Sequence, residues 1–288
     1  MKENRLGRTE VKILITTDWY YPVVNGVVMS VLTLDRELRK RGHEVKILTL
    51  SGTCHSHEEN DVIYMASVGA GCVYPQARVK IPAAICCKEE LLEWKPDIIH
   101  SQCEFSTFPA ARRLAAQLDV PVVHTCHTVY EEYTHYFSPR REWGRAFVRR
   151  AMLGFSERVS AMIAPSEKTK GLLEEYGVSC PVYVVPSGVE LSEYARYRNP
   201  FWREKIRAKY SIDSETAVLL YVGRLAKEKS IEELLYCHKK TQGKGTVLMI
   251  AGDGPHRREL EKQVSLLGIE ASVIFTGMIP HEQIGEYY

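Results

Sequence analysis

No run in these 288 residues approaches the roughly 20 consecutive apolar residues of a membrane-spanning helix. The first ten residues are largely polar and charged, without the apolar stretch of a secretory signal, so no signal peptide is expected. The eight cysteines, Cys54, Cys72, Cys86, Cys87, Cys103, Cys126, Cys180 and Cys237, form no Cys-x-x-Cys pair and no Cys/His zinc spacing. Several stand in apolar stretches, where a free cysteine behaves as a small hydrophobe. They read as reduced thiols, and the expected compartment is cytosolic. There is no internal repeat and no low-complexity tract. Charge of one sign is also missing: 38 Lys and Arg against 36 Asp and Glu leave a net +2, which by itself names no partner. What remains, 45% hydrophobic and 26% charged, is an ordinary globular composition, long enough for two α/β domains or one large one.

The chain opens as strand, loop, helix, strand. Residues 11–16 form an apolar run, and residues 18–26 form a loop. Val27, Val31, Leu34 and Leu38 mark one helix face that Gly42 ends, and residues 44–50 form a second strand. That order is a parallel-sheet unit, whose strand-to-helix loop is the usual ligand edge. Only Gly26 stands where a dinucleotide fingerprint needs three glycines, so that fingerprint is absent, and a plain helix start competes with a ligand loop here. Residues 51–80 read as loop-rich. A helix is expected over 82–94, a short strand over 96–102, a helix over 109–118 and a strand over 120–125. His127 to Tyr136 follow directly, and polar and aromatic residues crowding the end of a strand suggest a site. A hydrogen-bonded loop histidine is the competing reading for His127.

Residues 139–158 carry a local charge excess. Arg140, Arg141, Arg145, Arg149, Arg150 and Arg158 stand against Glu142 and Glu157 alone, with Trp143, Phe147, Met152, Leu153 and Phe155 interleaved. On a helix Arg141, Arg145 and Arg149 share one stripe, and Trp143 and Phe147 a neighbouring one. Such a helix suits an anionic membrane surface. Nucleic acid is a rival partner, though no nucleic-acid motif accompanies it. A solvated helix with its apolar side in the core is the third reading. A strand at 159–164, a helix at 168–176 closed by Gly177, and a strand at 182–185 complete the first domain, with a linker at 186–192. Residues 191–216 read as charged and irregular.

Residues 218–222 then form a short apolar run, expected to be a strand buried on both faces. Gly223 breaks it, Arg224 and Lys229 flank the turn, and Ile231, Leu234 and Leu235 open a helical period. A helix N-terminus with an Arg and a Lys beside it can hold a diphosphate, the Arg by paired bonds and the Lys as a point charge. A solvated basic turn is the alternative. Strands at 247–250 and 273–276, with the Ala251-Gly252-Asp253-Gly254-Pro255 loop and a helix at 257–267 between them, continue the pattern. Asp18 and Asp253 read as isolated carboxylates and not as catalytic bases.

Taken together, Gly223-Arg224-Leu225-Ala226-Lys227-Glu228-Lys229, Ala251-Gly252-Asp253-Gly254-Pro255, Val185-Pro186-Ser187-Gly188-Val189-Glu190 and Phe275-Thr276-Gly277 resemble a retaining glycosyltransferase of family 4, over nearly the whole chain from Val11 on. The resemblance implies an α/β fold of GT-B type, with two doubly wound Rossmann-like domains: an acceptor-side domain over 11–187 and the first part of a nucleotide-sugar domain over 188–288, the second incomplete. The 127–136 stretch, the Asn25-Gly26-Val27-Val28 tract and the basic aromatic helix are similar to bacterial 1,2-diacylglycerol 3-glucosyltransferases. That implies transfer of a hexose, glucose first of all, from UDP-glucose to the 3-OH of diacylglycerol. It also implies a peripheral position on the inner face of the cell membrane.

The resemblance further implies site residues. His127 would contact the transferred sugar, and Arg224 and Lys229 would hold the donor diphosphate. Gly26, Gly188, Glu190, Gly223, Gly252, Gly254, Pro255 and Gly277 would line the donor side. Tyr130, Tyr133, Arg141, Trp143, Arg145, Phe147 and Arg149 would face acceptor and membrane. No metal or bound cofactor is implied, and no Asp-x-Asp pair occurs. A GDP-mannose or other nucleotide-sugar enzyme acting on another lipid or glycan, and a non-catalytic membrane- or nucleotide-binding fragment, are the alternatives. The family's two glutamates eight positions apart fall beyond Tyr288, so a truncated and weak or inactive form is expected. Gln102 stands where many relatives carry a histidine.

Overall fold

The computed structural model describes residues 10–71, 77–81, 88–131, 140–241 and 245–288, apart from the side chains of Arg141 and Glu193. Tyr133 and the first turn of the helix expected from residue 82 lie outside the described residues. The chain forms two compact units, Met1–Val189 and Glu190–Tyr288.

The first unit runs β1 (Lys12–Thr16), α1 (Gly26–Lys40), β2 (Glu44–Leu50), β3 (His57–Glu59), β4 (Val62–Met65), β5 (Ser67–Gly69), β6 (Arg78–Lys80), α2 (Lys88–Trp94), β7 (Ile98–Ser101), α3 (Thr107–Leu118), β8 (Val122–Thr125), α4 (Arg141–Ser156), β9 (Ala161–Ala164), α5 (Glu167–Tyr176) and β10 (Val182–Val184). The main sheet has the order β10-β9-β8-β7-β1-β2-β4-β3, with β3 alone antiparallel to its neighbour. Successive side chains of a strand point to opposite faces, and both faces are covered here. Leu14 packs with Phe108, Ala111 and Leu114 of α3, while Ile13 and Ile15 pack with Val31 and Leu34 of α1. The chain winds outward from β1 through β2 to β4, returns on the other side of β1 as β7, and winds out again through β8, β9 and β10. Such a reversal leaves a crevice at the carboxyl ends of the two strands flanking it, here β1 and β7.

Local chemistry sets the element ends. Asn25 caps α1, its side chain accepting from Val28 N at 2.9 Å. Ser166 caps α5, and Gly177 ends it in the left-handed region at φ +81°. Residues 51–80, expected to be loop-rich, also hold the four short strands β3 to β6. The four-residue run Val62–Met65 pairs parallel with β2 after a turn at Asn60 and Asp61, both in the left-handed conformation that Asn and Asp tolerate.

The second unit runs α6 (Ser192–Ala195), α7 (Pro200–Lys209), β11 (Ala217–Val222), α8 (Ile231–Thr241), β12 (Thr246–Ala251), α9 (Arg257–Leu267) and β13 (Val273–Gly277). Its described sheet is parallel, in the order β11-β12-β13. Leu225, Ile231, Leu235, Leu248, Ile250, Leu260 and Val264 form its core between sheet and helices α8 and α9. Two expectations fail here. The region read as irregular holds α7, which starts on a cap in the sequence: the Asn199 side chain accepts from Phe201 N at 3.0 Å and Pro200 takes the first helical position. And β11, expected to be buried on both faces, has Leu219 44% exposed, whereas Leu248 to Ala251 of its neighbour β12 are buried.

Candidate functional site

At the reversal between β1 and β7 the first unit gathers buried polar groups. Gln102 N bonds Thr16 O at 2.8 Å, extending the β1–β7 pairing into the loop. Asp18, on the loop after β1, is not isolated. Its carboxylate accepts from Ser106 N at 3.1 Å and Thr107 N at 2.7 Å, which caps α3. Burial raises its pKa, against the backbone N–H groups that favour the charged form. Glu104, on the loop after β7, was not singled out by the sequence. It accepts from His124 Nε2 at 3.2 Å and from the Tyr130 hydroxyl at 2.5 Å. Burial opposes its charge, but the hydrogen bonds and the charge of His124 outweigh burial, and its pKa is lowered. Tyr130 therefore turns its hydroxyl inward to Glu104, while its ring meets Phe105 edge-on. Burial and then the nearby carboxylate push its pKa well above the ordinary value.

His127 is half-buried just beyond β8, with Nε2 2.6 Å from Gln102 Oε1. Burial drives its pKa down to about 4; Glu104 works against the fall and His124 adds to it. His100, on β7, pairs Nε2 with Thr125 Oγ1 at 2.8 Å, and burial followed by the two neighbouring histidines lowers its pKa to about 3. Both rings are neutral at pH 7. The signal for this cluster was the polar run Ser101-Gln102-Cys103-Glu104 directly after an apolar strand. Its inward direction was not readable.

In the second unit the carboxyl ends of β11, β12 and β13 converge on glycines. Gly223 N bonds Ala251 O, Leu225 N bonds Asp253 O and His256 N bonds Leu225 O, each at 3.0 Å, and Gly252 N bonds Gly277 O at 2.9 Å. A Cβ on Gly252 would overlap the Gly223 carbonyl, and one on Gly254 the Leu225 carbonyl. Two loops thus interlock backbone against backbone, and this explains those glycines without reference to any ligand. Gly254→Ala is expected to lower unfolding free energy by about 2 kcal/mol or more, read as a lower urea midpoint. A wild-type midpoint would show that the loops can part. Asp253 is likewise not isolated: it accepts from Gly254 N at 2.7 Å and from Arg257 Nη1 at 3.0 Å. Pro255 follows in the same loop, before α9.

Arg224 and Lys229 stand together on the turn from β11 into α8. Arg224 Nη2 is paired with Glu228, whose side chain is only 2% exposed. Burial raises the Glu228 pKa, but its backbone hydrogen bond and Arg224 outweigh that and lower it. Lys229 is exposed, at the end of a short turn over Lys227–Lys229. Glu228 as an anchor for the guanidinium was missed, although it lies inside the sequence motif.

The other expected residues are spread. Gly26 opens α1, and a Cβ there would meet nothing within 4 Å, so the first unit gives no steric reason for glycine. Gly188 is exposed, and a Cβ there would sit 3.7 Å from Thr33 Cγ2. Glu190 accepts from Ser192 N at 3.2 Å and its hydroxyl at 2.5 Å. On α4, Trp143 and Phe147 are exposed by 62% and 66%, while Val148, Met152 and Phe155 are buried. The arginine stripe is less available than expected. Arg145 pairs with Glu131 at 2.8 Å, and Arg149 Nε donates to Tyr176 O at 3.3 Å. The Arg140 guanidinium lies 4.9 Å from the Trp143 ring centre. Among the described residues no group of three or more His, Cys, Asp or Glu could hold a metal ion, and no helix is long and apolar enough to cross a membrane.

The chain is similar to known proteins over nearly its whole length. The alpha-monoglucosyldiacylglycerol synthase of Streptococcus pneumoniae is 34% identical over 284 residues, covering 96% of this chain. The protein of the same description from Acholeplasma laidlawii is 25% identical over 292 residues and 96% of the chain. The chain spans 64% of the length of the first and 72% of the second. Among solved structures, that of Anabaena HepE in complex with UDP-glucose matches with a TM-score of 0.66 at 16% identity, over 96% of this chain and 71% of that one, so the fold is of GT-B type. The profile of "Glycosyl transferases group 1" matches residues 202–288. That of "Glycosyltransferase Family 4" matches residues 24–193, more than half of the chain, and the chain belongs to that family.

Proposed function

We propose that the protein is a retaining glycosyltransferase that moves a hexose, glucose first of all, from a UDP-sugar to the 3-OH of diacylglycerol at an anionic membrane surface. The observation that carries this reading is the 34% identity to the pneumococcal synthase, sustained over 96% of the chain. The chemistry supports it. The turn of Arg224 and Lys229 ahead of α8 offers two cations and the positive end of a helix to a diphosphate, whose charge grows as the sugar–phosphate bond breaks. His127, a neutral imidazole just beyond the carboxyl end of β8 and bonded to Gln102 after β7, offers hydrogen bonding without adding charge near the sugar.

For the acceptor, the exposed Trp143 and Phe147 of α4 suit the interface of a bilayer, where an aromatic ring sits between headgroup and acyl chain. Arginines within reach of an anionic surface add roughly 1 kcal/mol each. Since Arg145 and Arg149 have partners in the fold, the aromatic pair is the stronger test.

The test is radiolabelled transfer to diacylglycerol in phosphatidylglycerol vesicles, with UDP-glucose and GDP-mannose in parallel, on a chain extended to the length of the curated relatives with the present chain beside it. Lipid labelling from UDP-glucose is expected. Labelling from GDP-mannose alone would replace the donor, and none from either would remove the reading. The Trp143→Ser/Phe147→Ser variant is expected to bind those vesicles at least about tenfold more weakly, as loss of two buried aromatic side chains requires. Unchanged binding in a sedimentation assay would return α4 to a solvated helix.

A further inference from the structure

Gln102 is 2% exposed, and its Nε2 has no hydrogen-bond partner among the described residues. A buried amide that leaves its NH2 group unpaired costs folding free energy that an apolar side chain of the same size would not. Its position is fixed from β1, through Gln102 N to Thr16 O at 2.8 Å, at the strand reversal where a ligand crevice is expected. Among the described residues the one bond that the side chain makes is the contact of Oε1 with His127 Nε2, at 2.6 Å.

That contact has a consequence for the imidazole. An amide oxygen can only accept, so His127 Nε2 must carry the proton. A ring kept neutral by burial has a single proton, and with it on Nε2 the Nδ1 lone pair is left as an acceptor. Among the described residues Nδ1 has no hydrogen-bond partner.

We propose that Gln102 is a positioning residue, which holds His127 as the Nε2–H tautomer so that Nδ1 accepts a hydrogen bond from a hydroxyl of a bound sugar. The sugar rests on the transferase reading above; the tautomer does not. Glu104 and His124 lie beside this pair but are bonded to each other, which leaves Gln102 as the partner that chooses the tautomer. A histidine in this position could donate or accept, and would fix no such choice.

The experiment is 15N NMR of the histidine-labelled chain at pH 7, with the His127 signal assigned by its loss in His127→Asn. In the unsubstituted protein Nε2 is expected in the protonated range and Nδ1 in the unprotonated range. Gln102→Met, close in volume and without an acceptor, is expected to redistribute the proton between the nitrogens. It is also expected to lower kcat for sugar transfer by about tenfold, with KM for the donor little changed. Gln102→Glu, which can also only accept, should retain the Nε2–H form. Circular dichroism of each variant checks the fold. An Nδ1–H tautomer in the unsubstituted protein, or an unaltered tautomer in Gln102→Met, overturns the inference. The tautomer is read without substrate, so the expected NMR result with no transfer from any donor would strike the transferase reading and leave the Gln102–His127 assignment standing.

Discussion

Replacing Arg224 with alanine is expected to slow sugar transfer by about 10²–10³-fold, the usual loss when one preorganised charge-stabilising group is removed from a transition state. The structure adds a second consequence, which the sequence motif hid. Glu228 is buried and has Arg224 as its cationic partner at the turn, so the single substitution leaves a carboxylate without that partner in a low-dielectric setting. Arg224→Ala therefore should not leave the fold untouched. A loss of about 1–3 kcal/mol in unfolding free energy is expected with it. The two effects separate in Arg224→Ala/Glu228→Gln, where the neutral amide no longer needs the cation: stability should return toward that of the unsubstituted protein and transfer should not. Urea midpoints and kcat/KM on UDP-glucose read the two quantities. Transfer within a fewfold of normal in the double variant would end the diphosphate role of Arg224. Lys229, exposed and acting on Glu228 less than Arg224 does, should show the catalytic loss with a smaller change in stability when replaced by alanine.

Acidification should destabilise the first unit from about pH 6.5 downward. His100 and His127 have pKa values lowered to about 3 and about 4 from an ordinary 6.5. Above pH 6.5 both are neutral in the folded and the unfolded chain, and contribute no pH dependence. Between pH 6.5 and 4 the unfolded chain takes up protons that the folded chain refuses, so stability falls as pH falls. Each ring contributes up to about 1.4 kcal/mol per pH unit over that span, a total of several kcal/mol for the pair. The lowered pKa of Glu104 adds a further loss only at more acidic pH, and the raised pKa of Asp18 works in the opposite sense. Thermal unfolding followed from pH 7 to 4.5 measures the slope, and His100→Gln with His127→Gln should flatten it. A slope that survives both substitutions would show that the buried rings are not its source.

The sequence was read correctly where local chemistry leaves one answer. Apolar runs bounded by turns gave most strands of both sheets, and a period of 3.6 with Gly42 and Gly177 at the ends gave α1 and α5. It was misread where elements are short or polar. The four residues of β4 lack the length to show a period, and α7 is charged over most of its surface, so only its Asn-Pro start marks it.

The candidate site divides in the same way. By itself the sequence determined that a strand, a glycine turn and a helix start carry Arg224 and Lys229, since glycine and the change of period from two to 3.6 are local signals. Only the tertiary structure decided which groups face each other. Asp18 meets the N-terminus of α3 across 89 positions, Glu104 meets His124 and Tyr130, and Gln102 meets His127 across 25. The first follows from the return of β7 to the side of β1 and the other two from the pairing of β7 with β8, choices of strand order that no local spacing records. Partners brought together by a parallel sheet lie on different strands, and the distance between them along the chain is set by crossover helices whose length is unrelated to the chemistry at their ends.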